Sequence, residues 1–261
     1  MLNQRIQFFS NILKKCILNI DASILIVATE QHNLQLYETM GFNAVTLSTI
    51  VNPTNNTLKF QSFVDSASEI KMLDLAENCF DYVVIQNGLH FSRMPHQALV
   101  EMYRVARIGV MLFDGRDSAT IKIMQFLGIT ESYEVKKTYF SRIDKGNMND
   151  DLIPNHVYRW SEREIIKTIN SFAPHALHDF KFYYGHATPS TFLFPNSFVK
   201  KIIFRFLYRV YRIVIGPFYK QQNLFACYIG KNTEVHPWIT PKGDRYIFNR
   251  DWARARYDKG R

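Results

Sequence analysis

A short apolar run, Phe80-Asp81-Tyr82-Val83-Val84-Ile85, ends in the polar, glycine-containing turn Gln86-Asn87-Gly88 and gives way at once to a helical segment, His96 to Arg107. A second apolar run, Val110-Met111-Leu112-Phe113, then ends in Asp114-Gly115-Arg116-Asp117. Strand, helix and strand within about thirty residues make a βαβ unit, and its crossover sets the two strands parallel. Sheets of this kind take their ligands outside the carboxyl ends of the strands. An active site is therefore expected at Gln86 to Phe91 and at Asp114 to Asp117.

The flanking segments fit the same plan. Ile6, Phe9, Ile12, Leu13 and Ile17 recur at helical spacing, which predicts an amphipathic N-terminal helix over residues 3–19. Ser23 to Ala28 reads as a strand. Asn33 can cap a following helix, Leu34 to Met40, which stops at Gly41 as helices do at a C-terminal glycine. Ala44 to Leu47 reads as the next strand, and Phe60 to Val64 as a weaker one after a loop. Further on, Asp117 and Ser118 can cap a helix Ala119 to Leu127 that Gly128 stops. Ser161 and Glu164 form a capping box for a helix running to Phe172. Leu177 to Tyr184 and Asn223 to Gly230 read as two late strands. Residues 131–156, polar and mixed, are placed as an insertion over the strand ends, where specificity loops sit.

Two blocks make the chain resemble a known family. Phe80-Asp81-Tyr82-Val83 followed by Ala98-Leu99, Glu101, Arg104-Val105 and Gly109 is similar to the central strand and helix of class I S-adenosylmethionine-dependent methyltransferases. The run Glu101 to Val110, together with Val157-Tyr158-Arg159-Trp160 through Ile165, more narrowly resembles methyltransferases of bacterial surface-polysaccharide gene clusters. The resemblance spans roughly residues 20–231. It implies a Rossmann-like α/β fold with a seven-stranded, mostly parallel sheet, an antiparallel last strand and helices on both faces. It also implies S-adenosylmethionine as cofactor, and a glycan or other small-molecule acceptor carrying the hydroxyl or carboxyl to be methylated.

On that resemblance the cofactor would meet Ala28, Thr29 and Glu30 in the turn after the first strand, Ser48 at the end of the second, Asp65 and Ser66 after the third, and Gln86 and Asn87 after the fourth. Members of the family carry glycines in the first of these turns and an acidic residue at the end of the second strand. Here the turn Ala28-Thr29-Glu30-Gln31-His32-Asn33 has no glycine, and Ser48 stands in the acidic position. A serine hydroxyl bonds a ribose more weakly than a carboxylate does. Transfer to a hydroxyl requires an in-line acceptor and a base for its proton. The candidates are His90, Asp114 and Asp117, each with the alternative of a structural hydrogen bonder. Tyr158, Arg159 and Trp160 are candidates for the acceptor wall, or else pack ahead of the Ser161 cap.

Charge divides the chain. The net +9 arises in residues 199–261, which hold 14 Lys and Arg against 4 Asp and Glu. Residues 196–220 alternate a stripe of Lys201, Arg205, Arg209 and Arg212 with a wide apolar face, and they interrupt the late strand pair as a helical insertion at about 194–220. That arm reads as a homodimer or core contact, or as an interfacial helix on a membrane surface. The chain is thus expected to divide into an N-terminal helix (1–22), a methyltransferase-like domain (23–231) and a basic tail (232–261). The tail carries no nucleic-acid motif, so no nucleic-acid partner is expected. Three scattered cysteines suit a reducing compartment, and no zinc spacing or histidine set points to a metal. Without a secretory signal or an apolar window of spanning length, a cytoplasmic protein is expected, with peripheral contact at the inner membrane face through the arm. The rival to an enzyme is a relative that keeps the fold but not catalysis and serves as a partner or membrane-associated scaffold subunit.

Overall fold

Six of the seven residues of the strand Phe80–Gln86 are buried. An almost unbroken apolar run of this length can persist only where both faces of a sheet are covered, and that is its situation. The computed structural model describes residues 2–28, 34–49, 75–86, 88–89, 92, 94–126, 128, 130–135, 139, 154, 156–186, 209–211, 213–243 and 245–258. Among them a six-stranded sheet forms from β1 (Ile24–Ala28), β2 (Val45–Thr49), β3 (Phe80–Gln86), β4 (Ala106–Asp114), β5 (Ala176–Gly185) and β6 (Leu224–Val235), in the order β2-β1-β3-β4-β6-β5. The pairs β1–β2, β1–β3 and β3–β4 are parallel, while β6 runs antiparallel to both neighbours. This is the expected Rossmann-like α/β sheet with its antiparallel strand late in the chain. The seventh strand, expected at Phe60 to Val64, lies outside the described residues.

Alternation along the strands sends side chains to two cores. Leu25, Val27, Val83, Ile85, Val110 and Leu112 face the helices α3 (Pro95–Val105) and α5 (Glu162–Phe172). Ile24, Ile26, Val84, Met111 and Phe113 face α1 (Leu2–Cys16) and α2 (Leu34–Thr39). The helix α1 sits as its periodicity predicts, with Phe9, Ile12 and Leu13 buried and Ile17 buried just past its end. After α2 the chain turns at Gly41, whose φ of +85° is left-handed, a conformation that glycine adopts without penalty. The capping box of α5 is complete: Ser161 Oγ accepts from Glu164 N, and Glu164 Oε2 accepts from Ser161 N at 2.8 Å. The short helix α4 (Ala119–Phe126) begins at Ser118, whose hydroxyl accepts from Ile121 N.

One junction differs from expectation. The helix α3 ends at Val105 and β4 begins at the next residue, so Arg107 and Gly109 belong to the strand. The glycine there makes room: a Cβ on Gly109 would lie 2.7 Å from the Tyr228 ring of β6. Arg107, now in β4, reaches across to β3 and donates from Nε to Asp81 Oδ1 at 2.9 Å. Asp81 also accepts from Ser23 N (2.9 Å) and Ser23 Oγ (3.0 Å). Burial alone would raise the Asp81 pKa, but the Ser23 and Arg107 hydrogen bonds outweigh it and hold the carboxyl below its usual value. This staple ties the N-terminal ends of β1, β3 and β4.

The basic tail forms a hairpin and a helix. An antiparallel hairpin, β7 (Ile239–Lys242) and β8 (Arg245–Phe248), is followed by α6 (Arg250–Tyr257), capped by Asn249 accepting from Trp252 N. His236 stacks on Trp238 at 4.1 Å. Of the arm expected at 196–220, residues 209–211 and 213–220 are described, and there Val210, Ile213, Val214, Phe218 and Tyr219 are exposed. No helix among the described residues is long and apolar enough to cross a membrane.

Candidate active site

The parallel strands β1, β2, β3 and β4 deliver Ala28, Thr49, Gln86 and Asp114 to one end of the sheet. Asp114 is paired there with Phe225, at the start of β6. Gln86 lies one step beyond the Val27–Ile85 pair, and on its other side it is paired with Phe113. It is 3% exposed, and among the described residues neither its Nε2 nor its Oε1 has a hydrogen-bond partner. An unpaired buried amide is unfavourable by about 1–3 kcal/mol on mutational scales. Such a group at the carboxyl end of a central strand suits a site where a ligand supplies the missing bonds.

Beyond β4 the structure joins two sets of residues that sequence reading singled out separately. The segment Tyr158–Trp160 runs alongside Gly115–Asp117 as a parallel bridge: Trp160 N donates to Gly115 O, and Asp117 N to Trp160 O, both at 2.8 Å. Gly115 is the point of closest approach, since a Cβ there would meet Arg159 Cγ at 3.3 Å. Asp114 is buried, with Oδ1 accepting from Gly115 N at 2.8 Å. Asp117 is partly exposed and pairs with Lys122 at 3.1 Å.

Arg159 donates to Glu131 O (3.0 Å) and Thr130 Oγ1 (3.3 Å). Burial lowers its pKa, with the Asp117 and Asp114 carboxylates opposing that shift. Tyr158 donates to Glu164 Oε1 at 3.1 Å and meets His96 Nε2 at 2.8 Å; burial, then the Glu164 charge, pushes its pKa up to about 12. Trp160 is fully buried in the core beside His96, and among the described residues its indole N–H has no acceptor.

A network that sequence reading missed closes this end of the sheet. Arg116 forks onto Glu162, with Nη2 3.0 Å from both carboxylate oxygens; Tyr184 donates to the same carboxylate, and Arg116 also donates to Lys220 O. Burial would raise the Glu162 pKa, but the Tyr184 and Arg116 bonds outweigh it and hold the group below its usual value. The loop after β4, α5, β5 and the chain before β6 are thereby fastened together. The three residues are 46 and 22 positions apart, so no local pattern could reveal them.

Thr29, Glu30, Asp65, Ser66, Asn87 and His90 lie outside the described residues, as do the side chains of Ala28 and Ser48. Among the described residues no three His, Cys, Asp or Glu side chains converge as metal ligands would.

Residues 38–113, from α2 to the end of β4, match the family model described as "Methyltransferase domain". The matched stretch contains the βαβ unit and begins after the glycine-free turn. No curated protein matches the chain in sequence. Among solved structures, the putative methyltransferase in complex with the Trm112 methyltransferase activator of Haloferax volcanii is similar with a TM-score of 0.54 at 10% identity, over 90% of this chain and 93% of that one. A SAM-dependent methyltransferase from Archaeoglobus fulgidus aligns with a TM-score of 0.46 at 11% identity over 87% and 94% of the two chains. A putative methyltransferase from Bacillus halodurans aligns at 0.44 and 14% over 85% and 96%. The fold is shared with the Haloferax volcanii methyltransferase, and S-adenosylmethionine is the cofactor named for the Archaeoglobus fulgidus protein. The orphaned Gln86 amide at the carboxyl ends of the strands fits such a guest.

Proposed function

We propose that this chain transfers a methyl group from S-adenosylmethionine to a hydroxyl or carboxyl of a small-molecule or glycan acceptor, in the setting of surface-polysaccharide synthesis. The observation that carries this reading is the unpartnered amide of Gln86 beside the matched methyltransferase domain. In this reading Gln86, with Asn87, bonds the cofactor from the central strand. Ala28, Thr29, Glu30 and Ser48 line it along β1 and β2, and Asp65 with Ser66 holds the adenine.

When bound, the cofactor supplies an activated sulfonium methyl group. The chain's own part is to hold the acceptor in line and to take a proton from it. Asp114 and Asp117 are available on the acceptor side, with His90 the further candidate base. Tyr158 and Arg159 border the acceptor, with Trp160 buried behind them. The partly buried Arg116–Glu162 pair keeps the loop after β4 in place.

The glycine-free turn after β1 favours a second reading, a fold kept as a partner or scaffold subunit. Calorimetric titration with S-adenosylhomocysteine separates the two. Micromolar binding that weakens in Asp65→Ala and Gln86→Leu supports the enzyme. No heat and no thermal shift at millimolar ligand sinks it, and a companion chain is then sought before an acceptor, since one neighbour of this fold was solved with an activator protein.

A further inference from the structure

A cavity of about 620 Å³ opens at the end of the sheet opposite Gln86 and Asp114. Its walls are the C-terminus of α3, the end of α5, the start of β5, the far end of β6 and the β7–β8 hairpin. That volume is in the range of small-molecule sites. Nothing in the methyl-transfer reading uses it.

Its lining brings fixed cations together with rings. Lys231 forms part of the wall: Nζ donates to Asn78 Oδ1 at 2.8 Å and to the carbonyls of Arg104 and Ala106, and it lies 4.4 Å over the Tyr103 ring. Burial lowers its pKa to about 8, with Glu77 opposing and Arg104 adding to the shift, so an arriving anion would relieve an unfavourable charge. Arg107 is held by Asp81 through Nε and one Nη, while its side chain stays 64% exposed. A guanidinium fixed in this way is ready to fork onto an oxyanion. Tyr246, on β8, stacks on His175 at 4.3 Å with an interplanar angle of 22°, and half of its surface remains open. The two acids of the lining, Glu77 and Glu234, are both exposed, where solvent screens them.

We propose that this cavity is a second binding site, for a small organic phosphate that carries a planar ring. Phosphate oxygens accept from Arg107, the Lys231 ammonium, whose three protons are held by the wall, supplies positive charge to the same cavity, and the ring lies against Tyr246. The site is separate from the crevice at the carboxyl ends of the strands, so the two can be filled together.

The test is calorimetric titration of the full chain with AMP at low salt, with S-adenosylhomocysteine present in excess to fill the adenine end of the other crevice. The expected result is binding at about 1 mM or tighter, at least tenfold weaker binding of adenosine, which lacks the phosphate, and a loss of roughly tenfold in Tyr246→Ala and in Lys231→Met. S-adenosylhomocysteine affinity should be unchanged in both variants. Lys231 also fastens the end of α3, so circular dichroism decides whether that variant is read; Tyr246, exposed on a hairpin outside the main sheet, decides the matter by itself if it is not. No AMP binding, equal affinity for adenosine, or unchanged affinity in Tyr246→Ala overturns the proposal. Failure of S-adenosylhomocysteine to bind sinks the methyl-transfer reading and leaves this site to be judged on AMP alone.

Discussion

Replacing Gln86 by leucine should make the ligand-free protein more stable and the cofactor-bound protein harder to form. The side chain is 3% exposed, with both polar atoms unpartnered among the described residues. Burying an unpaired amide is unfavourable by about 1–3 kcal/mol. Leucine has nearly the same volume, and swaps that conserve volume disturb a core by less than about 1.5 kcal/mol. The net expectation is a gain of about 1 kcal/mol, which for a chain of this size raises Tm by roughly 2–4 °C. The same change removes the hydrogen bonds the amide would make to the cofactor. One or two such bonds contribute about 0.5–1.5 kcal/mol each, so S-adenosylhomocysteine affinity should fall about tenfold. Urea unfolding without ligand measures the first quantity, and calorimetry the second. A leucine variant that is less stable without ligand and binds S-adenosylhomocysteine as tightly as before would refute the reasoning: the amide would then have a structural role and no ligand.

Three further outcomes follow from the packing. Asp81→Asn should cost about 2–4 kcal/mol at neutral pH, since it weakens the hydrogen bonds from Ser23 to a buried carboxylate, whereas Arg107→Gln, altering a largely exposed side chain, should cost under about 1 kcal/mol. The Asp81 pKa is lowered in the fold, so its contribution is full above the unfolded value near 3.9 and is lost as pH falls through that value toward the folded one; urea midpoints of wild type and Asp81→Asn that fail to converge in acid would count against the staple. Ser161→Ala removes one half of the capping box and should lower stability by about 1 kcal/mol in the same assay. Gly109→Ala places a methyl group 2.7 Å from the Tyr228 ring and 3.0 Å from the Ile229 carbonyl and should cost about 1–3 kcal/mol, of which Tyr228→Ala in the same chain should relieve only the ring's part.

What the sequence made legible was local. The apolar runs of β3 and β4, the periodicity of α1, the glycine that ends α2 and the Ser161–Glu164 box each lie within a few turns of chain, and each formed as its pattern dictates. The α3–β4 junction falls two residues before the expected helix end at Arg107 because Arg107 to Gly109 pair in the sheet, where Gly109 makes room for Tyr228, over a hundred residues away. The tail hairpin did leave a signal: Lys242-Gly243-Asp244 between Trp238-Ile239-Thr240 and Tyr246-Ile247-Phe248 is a turn flanked by strand formers, and Gly243 adopts φ +60°. Of the candidate site, Asp114, Asp117 and Tyr158 to Trp160 could be named from sequence, but that they lie side by side could not. The Arg116–Glu162–Tyr184 network depends wholly on the closure of the sheet.

The direct passage of α3 into β4 has a consequence for how this chain can vary. With no loop between Val105 and Ala106, there is no slack to absorb a change of length. Side chains in a strand alternate with a period of two. One residue inserted at the joint would put β4 out of phase, exchanging the face of Phe113 with that of Asp114 and turning a carboxylate into the core beneath α1. Length variation is therefore excluded at this joint and confined to the turns at the other end of the strands. The βαβ unit behaves as a ruler, fixing Asp114 at nine residues from the helix end.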